Sequence, residues 1–276
     1  MIYININKII VMSINLFALQ EPLLKMMTQA CELILAVYNT DFDVITKGDG
    51  SPVTVADKLV SQHLISELEN LTPNCLVISE ELDESHEYET RKKYENVWII
   101  DPLDGTKGFV AKNDEFAICV GLSHNGIPVA GLLGIPIQRT VYYTFQEKHA
   151  LKRVYSKRFA GFTETALLPF SNRYPRDSKV HIIVSTHSNK ETDAYIQANY
   201  KDYSIQKVCS ALKFGRMLDG LAEVYPRLKP CYEWDTCAGH ALLRSLGGKV
   251  KDLDGNELKY NKQSLLNPDF VATLTQ

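Results

Sequence analysis

The stretch Trp98–Phe109, WIIDPLDGTKGF, constrains this chain more than any other. An apolar run, Val97–Asp101, reads as a buried strand that Pro102 cuts short. A second aspartate, Asp104, then turns back toward the same point ahead of Gly105 and Thr106. Carboxylates crowded at a strand end repel one another unless a cation sits between them. Hard divalent ions such as Mg²⁺ take oxygen ligands, and a few carboxylates with water and a substrate phosphate suit them. An isolated Asp-Gly is usually an ordinary turn. That reading weakens here because other acids stand at comparable junctions. Glu80 and Glu81 follow the apolar run Cys75–Ser79 directly. Asp57 lies one turn into the helix behind SPVT, and Asp235 follows Trp234 at a helix start, where it could also be an N-cap.

The remaining pattern is α/β. Leu23, Met27, Cys31, Ile34 and Tyr38 recur at helical spacing. A second helix is expected over Val55–Leu71, capped by Thr54, with Val55, Leu59 and Leu64 facing inward. FAICVGLSH and PVAGLLGIP flank Asn125-Gly126 and read as a hairpin, with TVYYTF as the next strand. Residues 156–179 have weak periodicity and read as a connection between lobes. Beyond them HIIVS, SIQKV and AEVY alternate with helices near Glu191–Asn199 and Ala211–Asp219. DTCAGHALLRSLGG reads as a helix stopped by glycine, and Asp254-Gly255 as another hairpin turn. The expected architecture is a two-lobed α/β sandwich, with an extension at 1–18, a first lobe over 19–155 and a second over 156–276.

Three segments, SEE, DPLDGTKGF and WDTCAGH in chain order, resemble the metal-binding motifs of the lithium-sensitive, Mg²⁺-dependent phosphatase superfamily typified by inositol monophosphatase. The resemblance runs from about Leu19 to the C-terminus. SPVTVAD, CSALKF, YPR and LNP bring it nearest to the 3′(2′),5′-bisphosphate nucleotidase branch. It implies a layered α/β/α/β/α sandwich of the inositol monophosphatase and sugar phosphatase type.

Carried across residue by residue, the resemblance implies a first metal held by Glu80, Asp101 and the Leu103 carbonyl. A second would be held by Asp101, Asp104 and Asp235, with two or three Mg²⁺ ions per site in all. Thr106, supported by Asp57, would position or deprotonate the attacking water, and Glu80 would orient it. The N–H groups of Gly105 and Thr106 would receive the phosphate. Glu80, Leu103, Asp104 and Asp235 would thus face the substrate as well. Ser210 and Lys213, three apart on one helix face, and Arg227 would bind a second phosphate that stays on the nucleotide. Glu81 is given a supporting role. Gly108, after Gly-Thr-Lys, matches eukaryotic members where many bacterial ones carry glutamate. His63, His124 and His240 have no partner spacing and read as structural.

The activity so implied is Mg²⁺-dependent removal of the 3′-phosphate from 3′-phosphoadenosine 5′-phosphate, or its sulfated form, giving AMP and phosphate in sulfur assimilation. Inositol or sugar monophosphate hydrolysis at the same metals is the second reading. An aspartyl-nucleophile phosphatase would need D-x-D-G-T, whereas this chain has D-x-x-D-G-T. A silent nucleotide sensor is the non-enzymatic alternative.

The formal net charge of −3 argues against a nucleic-acid surface, so the expected partner is a small bisphosphate nucleotide, with no stable protein partner and a monomer or homodimer. The six cysteines form no CxxC pair and fit buried thiols in a reducing, cytoplasmic compartment. The apolar run Ile9–Leu19 is too short to span a bilayer. A weak anchor on the cytoplasmic face of the inner membrane, a docking arm and an upstream start codon are the three readings of it.

Overall fold

The computed structural model describes residues 14–46, 52–82, 87–159, 161–170 and 179–274. Residues 1–13, where most of the N-terminal reading falls, lie outside them. Leu16 is buried and Ile14 and Leu19 pack on the same apolar cluster as the first helix. That helix, α1 (Gln20–Tyr38), buries all five residues of its expected stripe.

A two-stranded antiparallel pair, β1 (Val44–Thr46) and β2 (Pro52–Thr54), leads into α2 (Val55–Leu71). The Thr54 hydroxyl accepts from Ala56 N–H at 3.1 Å, and Asp57 accepts from the Thr54 N–H and hydroxyl, each at 2.7 Å. Such a capping box stabilises a helix start by about 1 kcal/mol. It also turns Asp57 inward and so fixes the helix phase. The buried face is Ala56, Asp57, Val60, Ser61, Leu64 and Leu68. Of the three residues expected inside, only Leu64 is; Val55 and Leu59 are 47% and 42% exposed.

The larger sheet has seven strands in sequence order: β3 (Leu76–Ser79), β4 (Asn96–Asp104), β5 (Ala117–His124), β6 (Ile127–Ile135), β7 (Thr140–Gln146), β8 (His149–Tyr155) and β9 (Phe162–Leu167). Short helices α3 (Tyr88–Arg91) and α4 (Thr106–Val110) flank β4. Only β3 and β4 run parallel. Asn125 and Gly126 have φ of 50° and 78°, the left-handed pair that a tight hairpin needs. Strand β9 lies inside the segment expected to be a connection. It is an edge strand with both faces largely exposed, so no buried alternation marks it.

Strand β4 also outruns its expected end at Asp101. Asp101 stands opposite Cys119 and Asp104 opposite Ala117, three steps on β4 against two on β5. Pro102 sits in this bulge, where the ladder is already broken and its missing N–H costs nothing.

The smaller sheet has the order β11-β10-β12-β14-β13. Its strands are β10 (Val180–Val184), β11 (Tyr203–Lys207), β12 (Val224–Arg227), β13 (Lys249–Asp252) and β14 (Phe270–Thr273). Helices α5 (Lys190–Asn199), α6 (Leu212–Leu218) and α7 (Cys237–Ser245) come between them. Gly247, at φ 91°, ends the chain's run through α7 as expected of a glycine stop. Gly255 turns the chain at φ 87° and Lys251 bridges Glu257 antiparallel across it, as expected of a hairpin turn, while the ladder partner of β13 is β14.

Burial resolves the layers. Helices α1 and α2 cover one face of the larger sheet through Leu23, Val60, Leu64, Trp98 and Ile100. Helices α6 and α7 lie between the sheets in a core that includes Ile99, Leu133, Phe214, Tyr225, Leu243 and Phe270. Helix α5 closes the far face through Ile196 against Ile182, Val184 and Val224. The order is the expected α/β/α/β/α sandwich.

Bare backbone lets α7 come close. A Cβ on Gly121 would lie 2.6 Å from Cys237 Sγ, and one on Gly131 2.5 Å from the Ala238 carbonyl. Cys31, Cys75, Cys119, Cys231 and Cys237 are buried, Cys209 is half-buried, and all six are free thiols. Among the described residues no helix is long and apolar enough to cross a membrane.

Candidate active site

The bulge in β4 decides where the acids point. Two ladder steps separate Asp101 from Asp104, so both carboxylates leave the same face of the sheet. Their partners Cys119 and Ala117 belong to the core between the sheets. From the other side, α7 lies against Gly121 and Gly131 and brings the one-turn helix Glu233–Asp235 ahead of it. One carboxylate oxygen each from Asp101, Asp104 and Asp235 lies within 4.8 Å of the other two.

Glu80 follows Leu76 and Ile78 in the alternation of β3, on the face toward that core, and its N–H donates to Ile100 at 3.2 Å. Its charge raises the Asp101 and Asp235 pKa values. Glu81 instead acts on Asp57. The two neighbours therefore serve different points, as their opposite directions from a strand end require.

Burial pushes the Asp101 carboxyl well above the usual range, and Glu80, Asp104 and Asp235 push it further. Asp235 is pushed up to about 7 by burial and then by Asp104. Asp104 is also raised by burial, but Lys213, the Ala211 N–H and Arg227 oppose the shift. Two carboxylates this close repel by roughly 3 kcal/mol at an effective dielectric of 20. Three all-oxygen donors without histidine or cysteine form a hard site that fits a divalent cation of the Mg²⁺ type.

Gly105 holds φ 97°, and a Cβ there would lie 2.7 Å from the Glu115 carbonyl. Only glycine suits that position. Immediately after it, the Thr106 hydroxyl sits 3.3 Å from Asp57 Oδ1 and 3.2 Å from the Leu103 carbonyl. The Leu103 N–H donates to Asp101 Oδ1 at 2.9 Å. Asp57 itself is raised by burial, against the Thr54 hydrogen bonds that lower it. Gly108 is tight too, its missing Cβ 2.7 Å from both Asn113 Oδ1 and the Glu115 carbonyl.

A cleft of about 240 Å³ opens from the acids and is lined by Glu80, Asp104, Thr106, Ser210, Lys213, Arg227 and Asp235 among others. Ser210 is not on a helix face with Lys213. It precedes α6 with φ 57°, because the chain must turn there to deliver the Ala211 N–H to Asp104 Oδ2. Lys213 is 3% exposed, and its ammonium donates to the Ser210 and Val208 carbonyls. Burial lowers its pKa to about 8, with Asp104 pulling the other way. Arg227, ending β12, donates to Ser185 Oγ and to the Lys229 and Pro230 carbonyls, each at 3.1 Å.

Sequence reasoning missed several lining residues. Ser185 and His187 follow the C-terminal end of β10, where open α/β sheets place ligands, and that rule was the available signal. Glu115, which supports the lining residue Cys209 by accepting from its N–H at 3.2 Å, had none. The histidines are structural as read. His63 pairs with the Met26 carbonyl, His124 with Asn96, and buried His240 with Tyr260 and Glu257.

Residues 18–274 match the sequence profile of the inositol monophosphatase family. The 3′(2′),5′-bisphosphate nucleotidase CysQ of Escherichia coli (strain K12) is 33% identical over 261 residues, covering 90% of this chain and 100% of that one. The protein of that name from Buchnera aphidicola is 31% identical over 261 residues, covering 90% and 94%. Among solved structures, CysQ from Bacteroides thetaiotaomicron superposes with a TM-score of 0.78 at 29% identity, over 94% of this chain and 98% of that one.

Proposed function

The chain belongs to the inositol monophosphatase family, and from that premise we propose that it hydrolyses the 3′-phosphate of 3′-phosphoadenosine 5′-phosphate, releasing AMP and phosphate. One observation carries the choice of substrate. The cleft lining carries two sets of opposite sign: Asp104, Asp235 and Glu80, and Lys213 and Arg227. A monoester needs only the first. A bisphosphate needs cations away from the metals for the phosphate that is not cleaved. The nucleotidase names of the relatives support the same reading.

In this reading Glu80, Asp101, Asp104, Asp235 and the Leu103 carbonyl hold Mg²⁺. Bound there, the ion supplies Lewis-acid stabilisation of phosphoryl charge and favours ionisation of water. The protein's own groups do the rest. Thr106, fixed between Asp57 and the Leu103 carbonyl, orients the incoming water and passes a proton toward Asp57. The N–H groups of Gly105 and Thr106 orient the scissile phosphate. Lys213 and Arg227, their positions set by backbone carbonyls, hold the distal one. A place in sulfur assimilation, a cytoplasmic location and inhibition by Li⁺ follow from the same reading.

The test is phosphate release from 3′-phosphoadenosine 5′-phosphate, its sulfated form and inositol 1-phosphate, with Mg²⁺ and then with added Li⁺. The bisphosphate is expected to lead in kcat/KM by at least tenfold. Preference for inositol 1-phosphate would make the chain a monophosphatase instead. Tight nucleotide binding without phosphate release would make it a sensor.

A further inference from the structure

The acids of the cluster come from two distant parts of the chain, and one loop ties those parts together. Residues 260–267 run between β13 and β14, and two buried side chains of opposite charge both grip that loop.

One is Glu233, fully buried, two residues before Asp235. Its carboxylate accepts from the backbone N–H groups of Asn261 and Lys262 and from the Lys262 ammonium. The other is Arg91, 3% exposed, in α3 between β3, which leads into Glu80, and β4, which carries Asp101. Its guanidinium donates to Asn261 Oδ1 at 2.9 Å, the Lys262 carbonyl at 3.0 Å and the Gln263 carbonyl at 3.1 Å. Asn261 returns a bond to the Arg91 carbonyl at 3.0 Å, and its φ of 57° makes this a specified turn. Asn267 closes the loop. Its amide donates to the Tyr232 carbonyl at 2.7 Å and Thr236 Oγ1 at 2.9 Å, the two residues bracketing the turn that carries Asp235. The Tyr232 N–H in turn donates to Asp235 Oδ2 at 2.8 Å.

We propose that Arg91 and Glu233 are positioning residues that hold Asp235 at a fixed distance from Asp101, so that the cluster binds cations as a preorganised site. The proposal rests on the reading that these aspartates share a cation. Glu233 and Arg91 touch neither the ion nor the substrate; they act through the 260–267 loop. Burying two charges needs each to be satisfied, and a planar guanidinium meets three acceptors where an ammonium cannot reproduce the fork. Loosening either grip leaves each carboxylate in place but adds the work of gathering them to every binding event.

The experiment uses Mn²⁺ alone as the probe, with free ion read by electron paramagnetic resonance on full-length protein. Glu233→Gln is expected to raise the Mn²⁺ Kd tenfold or more with the circular dichroism spectrum unchanged. Arg91→Lys keeps the charge and is expected to raise it three- to tenfold. Should Glu233→Gln not fold, Arg91→Lys decides the matter. The double variant Glu233→Gln/Lys262→Met, which removes both charges of one pair, is expected to fold with Mn²⁺ binding still weakened. Folded variants that bind Mn²⁺ within twofold of the parent, whatever their melting temperature, overturn the proposal. Asp101→Asn separates the two levels: if it also binds Mn²⁺ like the parent, the cluster reading itself falls.

Discussion

The Thr106 hydroxyl lies 3.3 Å from Asp57 Oδ1, a contact made across 49 positions of chain. Asp57 reaches it only because the same carboxylate caps α2 from inside, through its other oxygen and Thr54. One side chain thus starts a helix and holds a hydroxyl at the cleft.

Thr106→Ala is therefore expected to lower kcat by about 10²–10⁴, the range for a lost acid–base contact, with a small change in melting temperature. Asp57→Asn should lower kcat similarly and also destabilise the protein, since an amide cannot accept all the bonds that the carboxylate does. Steady-state kinetics with thermal melts separates the two. Unchanged kcat in Thr106→Ala would remove the hydroxyl from the reaction.

Asp101→Asn is expected to keep the fold and lose nearly all turnover. In the metal-free protein it should be at least as stable as the parent, because it removes the buried member of three clustered carboxylates, the one that Glu80, Asp104 and Asp235 all repel. The sign for pH follows from Asp235, whose folded pKa of about 7 lies above its ordinary value. Stability from that group is present at acid pH and lost as pH rises through about 7. With chelator, melting temperature should fall from pH 5 to 8; saturating Mg²⁺ should flatten the slope and raise the melt. At one hundred times its Kd a ligand adds about 2.7 kcal/mol. A melt indifferent to Mg²⁺ would argue against the site.

Lys213 titrates near 8, so its charge is lost as pH rises past that value. The kcat/KM for the bisphosphate should fall above about pH 8, whereas a monoester that does not use Lys213 should lack this limb. Lys213→Ala and Arg227→Ala should each raise KM for the bisphosphate more than they lower kcat. An equal effect on both substrates would place these cations outside the distal phosphate site.

Gly131→Ala puts a methyl 2.5 Å from the Ala238 carbonyl, a backbone atom that cannot swing aside. Overpacking of this kind costs about 1–3 kcal/mol. It should also displace α7, and with it Asp235, so weaker Mg²⁺ binding is expected alongside the lower denaturation midpoint. Denaturant melts and a Mg²⁺ titration check the pair of effects.

Short-range patterns were legible. The stripe from Leu23 to Tyr38, the Thr54 cap and the Asn125-Gly126 turn each rest on residues a few positions apart, and the structure has them all. The acids were visible for a similar reason, since each stands beside an apolar run or a helix start. What escaped depends on tertiary choice. Val55 and Leu59 look like core residues until Asp57 is known to point inward. Ser210 and Lys213 look like helix neighbours until the short bond from Ala211 to Asp104 forces a left-handed residue before the helix. Strand β9, exposed on both faces, has no apolar rhythm to read. Nothing in the sequence marks Arg91 and Glu233, because their meeting point, Asn261–Gln263, is remote from Arg91 in sequence.

The extra residue at Pro102 makes this part of the chain a matter of counting as well as of chemistry. Three steps on β4 match two on β5, and that mismatch alone brings both aspartates to one side. Removing Pro102, or adding one residue between the two aspartates, would send Asp104 to the opposite side of the sheet while every proposed ligand stays in the chain. Length here is thus under a demand of its own, separate from residue identity: Leu103 is held by its buried side chain and offers the cleft only its backbone, so the count of residues decides where Asp104 points.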